Sequence, residues 1–243
     1  MSGHSKWHNI QAKKGKADKT RSGMFTKISR MITVASQQGG GDIEVNFALR
    51  MAVQKAKDIN MPKDNIERAI KRGTGELDDS AQLHEVLYEG FGPGGVAVMV
   101  EAVTDNNNRT ASEIKHIFNK QGASLGGPGS VQWQFEHKAV VRFTPDKKTS
   151  IQNWDEAQLA FMDAGVDDIR ESDDGVELFG PKESFKSIME IIESYAIEPD
   201  DTGLQWVAKE DMVVDTETSK KVQTFYDALD ELDDVKDVYT NEG

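Results

Sequence analysis

The sequence contains no cysteine, which excludes disulfide bonds, thiolate zinc sites, iron–sulfur clusters and cysteine nucleophiles. Long apolar runs are also missing: hydrophobic residues make up 37% of the chain, and no run reaches the length that spans a bilayer. The N-terminus is basic from the start and lacks the apolar stretch of a secretion signal. These absences predict a cytoplasmic protein that does not contact a membrane.

Charge is distributed very unevenly along the chain. Residues 1–73 hold 15 Lys and Arg against 6 Asp and Glu, whereas residues 74–243 hold 14 against 36, and the whole chain carries a formal net charge of −13. A segment with a net charge of +9 beside one of −22 is typical of a protein whose basic end contacts a polyanion. The sequence therefore predicts a basic module followed by an acidic body.

The basic end divides into an arm and a helical module. Residues 1–21 form a lysine-rich arm with few apolar residues, and helical periodicity begins near Ser22. The third predicted helix starts at Pro62 and ends at Gly73, and it carries Arg68, Lys71 and Arg72 on the face opposite its apolar residues. The cations would neutralise phosphates, and Trp7 or Phe25 would stack on a base. The residues predicted to contact nucleic acid are Lys6, Trp7, Lys13, Lys14, Lys16, Lys19, Arg21, Arg68, Lys71 and Arg72.

After residue 75 the pattern changes to one of alternating helices and strands, so the fold class is α+β. The prediction is an N-terminal helical bundle at 1–75 followed by two ferredoxin-like α/β domains, the second inserted into the first. The discontinuous domain comprises 76–136 plus 204–243 and includes a strand at Val131–Phe135. The inserted domain comprises 137–203, has the order β-α-β-β-α-β, and ends in a short strand at Ile197–Pro199.

No arrangement typical of catalysis or of cofactor binding is visible. The stretch Gly90–Gly95 matches G-x-G-x-x-G, but a strand follows it instead of a helix, which indicates a hairpin turn. His4 and His8 lack further ligands for a metal, and the carboxylate clusters, including those at 230–234, are expected to be solvated surface. Arg109 follows an asparagine-rich helix cap and is a secondary candidate for contacting phosphate. We expect no enzyme activity, no cofactor and no metal.

Several long motifs carry a family resemblance. They are Gly3-His4-Ser5-Lys6-Trp7, the turn Gly39–Asp42, the run from Asn60 to Gly73, the segment Tyr88–Ala97, and Thr104–Thr110. Together they resemble the YebC/PmpR family, which includes the mitochondrial translational activator of cytochrome c oxidase subunit I, and the match covers essentially the whole chain. The resemblance implies one helical and two α/β domains and a cytoplasmic DNA-binding transcriptional regulator. It also implies an alternative role, since some relatives relieve ribosomes stalled on proline-rich nascent segments.

Three functional hypotheses follow. The first is a regulator that binds promoter DNA through the basic residues. The second is a ribosome-associated translation factor that contacts ribosomal RNA with the same residues, because phosphate contacts carry no sequence information. The third is a protein-interaction scaffold whose acidic body binds a basic partner such as a ribosomal protein.

Overall fold

The computed structural model describes residues 20–77 and 82–243, which form two compact units. The first unit contains the described residues up to Gln134 together with Glu210–Gly243, and the second is Phe135–Lys209. The α-helices of the described residues are α1 (Thr20–Gly39), α2 (Phe47–Asp58), α3 (Lys63–Gly73), α4 (Asn107–Lys120), α5 (Pro145–Thr149), α6 (Trp154–Asp163), α7 (Phe185–Ser194) and α8 (Thr216–Asp230). The strands are β1 (His84–Phe91), β2 (Ala97–Thr104), β3 (Ser124–Leu125), β4 (Phe135–Phe143), β5 (Asp168–Ser172), β6 (Gly175–Pro181), β7 (Asp201–Ala208) and β8 (Val235–Thr240).

Helices α1 to α3 pack around a small apolar core that includes Ile32, Leu49 and Ala56. Asn46 organises the turn between the first two helices. Its side-chain oxygen accepts from the N–H of Leu49. Its Nδ2 donates to the carbonyl oxygens of Ala35 in α1 and Gly40 in the turn. At the crossing of α1 and α3, a Cβ on Gly73 would lie 2.3 Å from the carbonyl oxygen of Thr33, so only glycine permits this approach.

The first unit also contains an antiparallel sheet of order β3-β1-β2-β8, with α4 and α8 packed on one face. Phe118 of α4 and Phe225 of α8 meet edge to face, with ring centroids 4.8 Å apart, at the centre of that core. The sheet begins with a hairpin, because the short connection between β1 and β2 contains no helix that could cross the sheet. Its connectivity therefore differs from the predicted ferredoxin-like order.

The strand predicted at Val131–Phe135 is wrong. Gln132–Gln134 forms a 3₁₀ turn, the third strand of the first sheet is β3, and β4 of the second unit begins only at Phe135. The physical reason is that the backbone N–H groups of Val131 and Gln132 donate to the carboxylate of Glu89 instead of to a neighbouring strand.

The second unit has the predicted β-α-β-β-α-β order, with the short helix α5 added after β4. Its antiparallel sheet has the order β5-β6-β4-β7, which is the ferredoxin-like arrangement. Trp154, the first residue of α6, contacts Phe143 of β4 and Phe161 of its own helix edge to face, which attaches α6 to the sheet. The fold is thus mixed α and β with two four-stranded antiparallel sheets.

The predicted position of the last strand of this unit is also wrong. No strand forms at Ile197–Pro199; β7 spans Asp201–Ala208 and pairs with β4, so the expected boundary at Gly203 falls inside a strand. Asp201 lies in the polar run Asp200–Gly203, but its carboxylate accepts from Arg142 at 2.9 Å across the sheet. A buried ion pair therefore outweighs the local turn preference.

Within the part of the chain that the structure describes, no helix is both long and apolar enough to cross a membrane. The same residues contain no group of three or more His, Asp and Glu side chains placed to hold a metal ion.

Candidate nucleic-acid interface

Helix α3 presents the predicted basic face. Ile66 and Ala69 are buried at 7% and 4% exposure, while Arg68 and Lys71 point to solvent, as expected for a helix with 3.6 residues per turn. Among residues 20–77 and 82–243, neither Arg68 nor Lys71 has an ion-pair partner, although Lys63 on the same helix lies 3.4 Å from Glu67. Two unpaired cations on a regular helix are well placed to meet phosphates.

Arg72 is placed differently from its neighbours on the helix. Its side chain is half-buried, and its Nε is buried with no acceptor among the described residues. Part of its guanidinium is therefore turned inward, so Arg68 and Lys71 carry the exposed charge of this face.

The other predicted contacts fall in the arm. Lys6, Trp7, Lys13, Lys14, Lys16 and Lys19 lie outside the described residues, and Arg21 lies in the first turn of α1 with its side chain also outside the description. Their assignment stays a prediction from the sequence.

Two other cations of the helical module, both on α1, are committed to the acidic turn between α8 and β8. Lys27 donates to the carbonyl oxygen of Asp230, and its Nζ lies 3.4 Å from the carboxylate of the same residue. Arg30 pairs with Asp234 and donates to the carbonyl oxygen of Asp233 at 2.6 Å. The carboxylate cluster at 230–234 is therefore not simply solvated surface, since it holds α1 in place.

Asp234 is the centre of a buried polar network and is only 4% exposed. Besides Arg30, its carboxylate accepts from Arg109 at 2.8 Å, from Thr110 at 2.5 Å and from Thr104 at 3.0 Å. Burial would raise the pKa of Asp234, but the donated hydrogen bonds and the nearby Arg30 outweigh it and lower the pKa. The carboxylate is therefore ionised at neutral pH and joins α1, the end of β2 and the start of α4.

This network gives Arg109 a structural role. Its guanidinium is bonded to Asp234 and, at 2.8 Å, to Asp105, and these two carboxylates raise its pKa further above the ordinary value. Asn106 caps α4 by accepting from the N–H of Arg109 at 3.1 Å, as the sequence predicted for an asparagine-rich segment. Because its charge is already compensated by two carboxylates, Arg109 is a poor candidate for contacting phosphate.

Sequence reasoning missed Asp234 and Glu89 because their partners lie far away in sequence. Arg30 and Asp234 are 204 positions apart, and Glu89 accepts from backbone groups about 40 positions later. Two local signals were available in the sequence. Asp234 stands directly before Val235, the first residue of a strand, and Glu89 follows the apolar run Val86–Tyr88 within a strand.

Two family models match the chain. The model described as the TACO1/YebC protein N-terminal domain matches residues 5–76, and the model described as the TACO1/YebC second and third domain matches residues 83–242. The second match alone covers more than half of the chain.

Similar proteins cover the same length. Relatives named "Probable transcriptional regulatory protein" include one from Thermotoga petrophila, 45% identical, with 99% of this chain and 93% of the relative aligned. Another, from Natranaerobius thermophilus, is 44% identical with 99% and 96% aligned. A crystal structure of a conserved hypothetical protein from Aquifex aeolicus superposes with a TM-score of 0.84 at 38% identity, covering 94% of this chain and 93% of that one. The chain therefore belongs to the TACO1/YebC family.

Proposed function

We propose that this protein regulates gene expression by binding nucleic acid through its basic N-terminal module. The observation that carries the proposal is that Arg68 and Lys71 are exposed on α3 and have no ion-pair partner among the described residues, in a segment with a net charge of +9. The names of the relatives support a regulatory role in transcription. In the proposed complex the arm residues and α3 contact phosphates, and the acidic body repels the polyanion and confines it to the module.

The finer proposal is a cytoplasmic, non-enzymatic regulator that binds promoter DNA. The alternative is a translation factor on the ribosome, which the family resemblance to a mitochondrial translational activator favours. Both use the same cations, because phosphate contacts position a protein without reading sequence. The acidic scaffold remains a third proposal, in which the body holds a basic protein.

Sedimentation separates these possibilities. A tagged wild type and a variant with Lys13, Lys14, Lys16 and Lys19 changed to Glu are run from a cell lysate through a sucrose gradient at near-physiological salt. If the wild type sediments with ribosomes and the variant does not, the result supports the translation factor. If both stay at the top while the wild type alone retards promoter DNA, the transcriptional regulator is supported. Equal behaviour of the two proteins in both assays would contradict a role for the arm.

A further inference from the structure

Trp133 is an exposed tryptophan on a loop that is firmly held. The side chain is 67% exposed, yet the neighbouring Val131 is fully buried and pins the loop to the first unit. Its indole Nε1 donates to the carbonyl oxygen of Ser130 at 3.2 Å. Because the N–H group is used inside the loop, the flat face of the ring is what remains for a partner.

The loop that carries Trp133, residues 126–134, is preformed by a buried carboxylate. Glu89 of β1 is 3% exposed and accepts from the backbone N–H groups of Gly129, Val131 and Gln132 at 2.7, 2.9 and 2.8 Å. Burial would raise the pKa of Glu89, but these three donors outweigh it and lower the pKa, so the carboxylate is charged at neutral pH. A loop held in this way loses little entropy when a ligand binds.

The far end of the same loop is also fixed. Asn241, just after β8, donates from its Nδ2 to the side-chain oxygen of Gln134 at 3.2 Å, and the N–H of Gln134 donates to the carbonyl oxygen of Val131 at 2.9 Å. Trp133 is therefore displayed from a loop anchored on both sides.

The stretch of sequence that contains this loop is unusual for the acidic body. Residues 114–135 form the longest stretch without Asp or Glu after residue 75. The same stretch includes Lys115 and Lys120, which are exposed on α4 and have no ion-pair partner in the described parts of the chain. The formal charges of this stretch are therefore positive, within a body whose net charge is −22.

The loop is separate from the helical module. The module contacts β1 near its start, where Gln38 donates to Glu85 at 2.9 Å, whereas the loop is attached at the end of β1, where the N–H of Gly126 donates to the carbonyl oxygen of Glu89. These attachment points are four residues apart in a strand that rises about 3.3 Å per residue, roughly 13 Å in all.

We infer that Trp133 stacks on an unpaired base of a single-stranded nucleic acid and forms a second contact beside the basic module. The inference rests on the proposed function. A stacking platform needs an open aromatic face and a fixed backbone, and the loop at 126–134 combines the two. Gln132, which is exposed and precedes Trp133 in the sequence, has a side-chain amide of the kind that hydrogen-bonds to base edges.

The test is equilibrium binding of the full chain to fluorescently labelled single-stranded RNA, single-stranded DNA of the same sequence, and the corresponding duplex. We expect Trp133→Ala to weaken single-strand binding about ten-fold, which corresponds to about 1.4 kcal/mol, because alanine removes the stacking of a base on the aromatic ring. Trp133→Phe retains most of the affinity. Duplex binding and the salt dependence stay unchanged, since stacked bases are inaccessible and stacking releases no counterions.

The controls separate the possible failures. Leu159→Ala removes another exposed apolar side chain (64% exposed) and should leave binding unchanged, and the urea midpoint of Trp133→Ala should equal that of the wild type. Unchanged single-strand affinity in Trp133→Ala would overturn the inference, while the proposed function stands. Equal weakening for single strand and duplex would also overturn it. A wild type that binds none of the three probes would refute the proposed function itself. The tighter of the two single strands identifies the target as RNA or DNA.

Discussion

Arg142→Ala is expected to lower the free energy of unfolding by about 4 kcal/mol, the largest single effect that the structure predicts. Arg142 lies in the middle of the second sheet at 4% exposure, opposite Glu177 on β6 and Asp201 on β7. Its guanidinium donates to both carboxylates and, at 2.7 Å, to the side-chain oxygen of Gln205. Removing it leaves the buried Glu177 without the guanidinium from which it accepts, which costs far more than an intact pair contributes.

The measurement is urea unfolding of the intact chain followed by tryptophan fluorescence, to which Trp154 and Trp206 of the second unit contribute. Lys186→Ala is the matched control, because Lys186 pairs with Glu190 at 3.7 Å but is 70% exposed, and exposed pairs contribute under about 1 kcal/mol. If Arg142→Ala were no more destabilising than this control, the buried network would have no structural importance.

Asp234→Ala is expected to cost about 3 kcal/mol, because it removes the acceptor of four donors at once. The loss is smaller than for Arg142, since Arg30 keeps the carbonyl oxygen of Asp233 and Arg109 keeps Asp105. Asp233→Ala is the control: its side chain is exposed and only its backbone carbonyl holds Arg30, so a change within about 0.5 kcal/mol is expected. Urea midpoints of the three proteins at neutral pH give the comparison.

The difference in the free energy of unfolding between wild type and Asp234→Ala should also depend on pH. The pKa of Asp234 in the folded protein is lower than the ordinary 3.8, so its contribution is fully present above that pH and disappears as the pH falls through the lowered value. This difference in the free energy of unfolding should therefore be constant near neutral pH and decrease as the pH is lowered. A gap that widens on acidification would contradict the assignment of the charged carboxylate.

The sequence was most informative where the structure depends on local periodicity. The basic face of α3 and the helix cap at Asn106 follow from residue spacing alone, and so does the element order of the second unit. In each case neighbours within one or two turns decide the conformation. The hairpin of β1 and β2 was predictable for the same reason, because its turn is built from adjacent glycines.

Long-range pairing explains what the sequence did not reveal. Strand β7 was misplaced because Asp201 and Gly203 favour a turn locally, whereas Arg142, some 59 positions earlier, holds Asp201 in the sheet. The candidate site shows the same limit. In the sequence, Lys27 and Arg30 are cations of the basic module just as Arg68 and Lys71 are, but in the fold they bind acidic residues of the turn between α8 and β8. Only the fold separates cations that bind the body from cations that remain available.

The central claim, that exposed cations of the helical module bind phosphates, is tested most directly by the salt dependence of nucleic-acid affinity. Three proteins are titrated against a duplex DNA and a structured RNA across a range of salt concentrations. They are the wild type, the α3 variant Arg68→Glu/Lys71→Glu, and the charge-matched control Lys186→Glu/Lys221→Glu. We expect the α3 variant alone to bind at least ten-fold more weakly than the wild type. Its slope of log affinity against log salt should be shallower by about two, since each lost phosphate contact removes about 0.9. Identical affinities and slopes for the α3 variant and the wild type would contradict it.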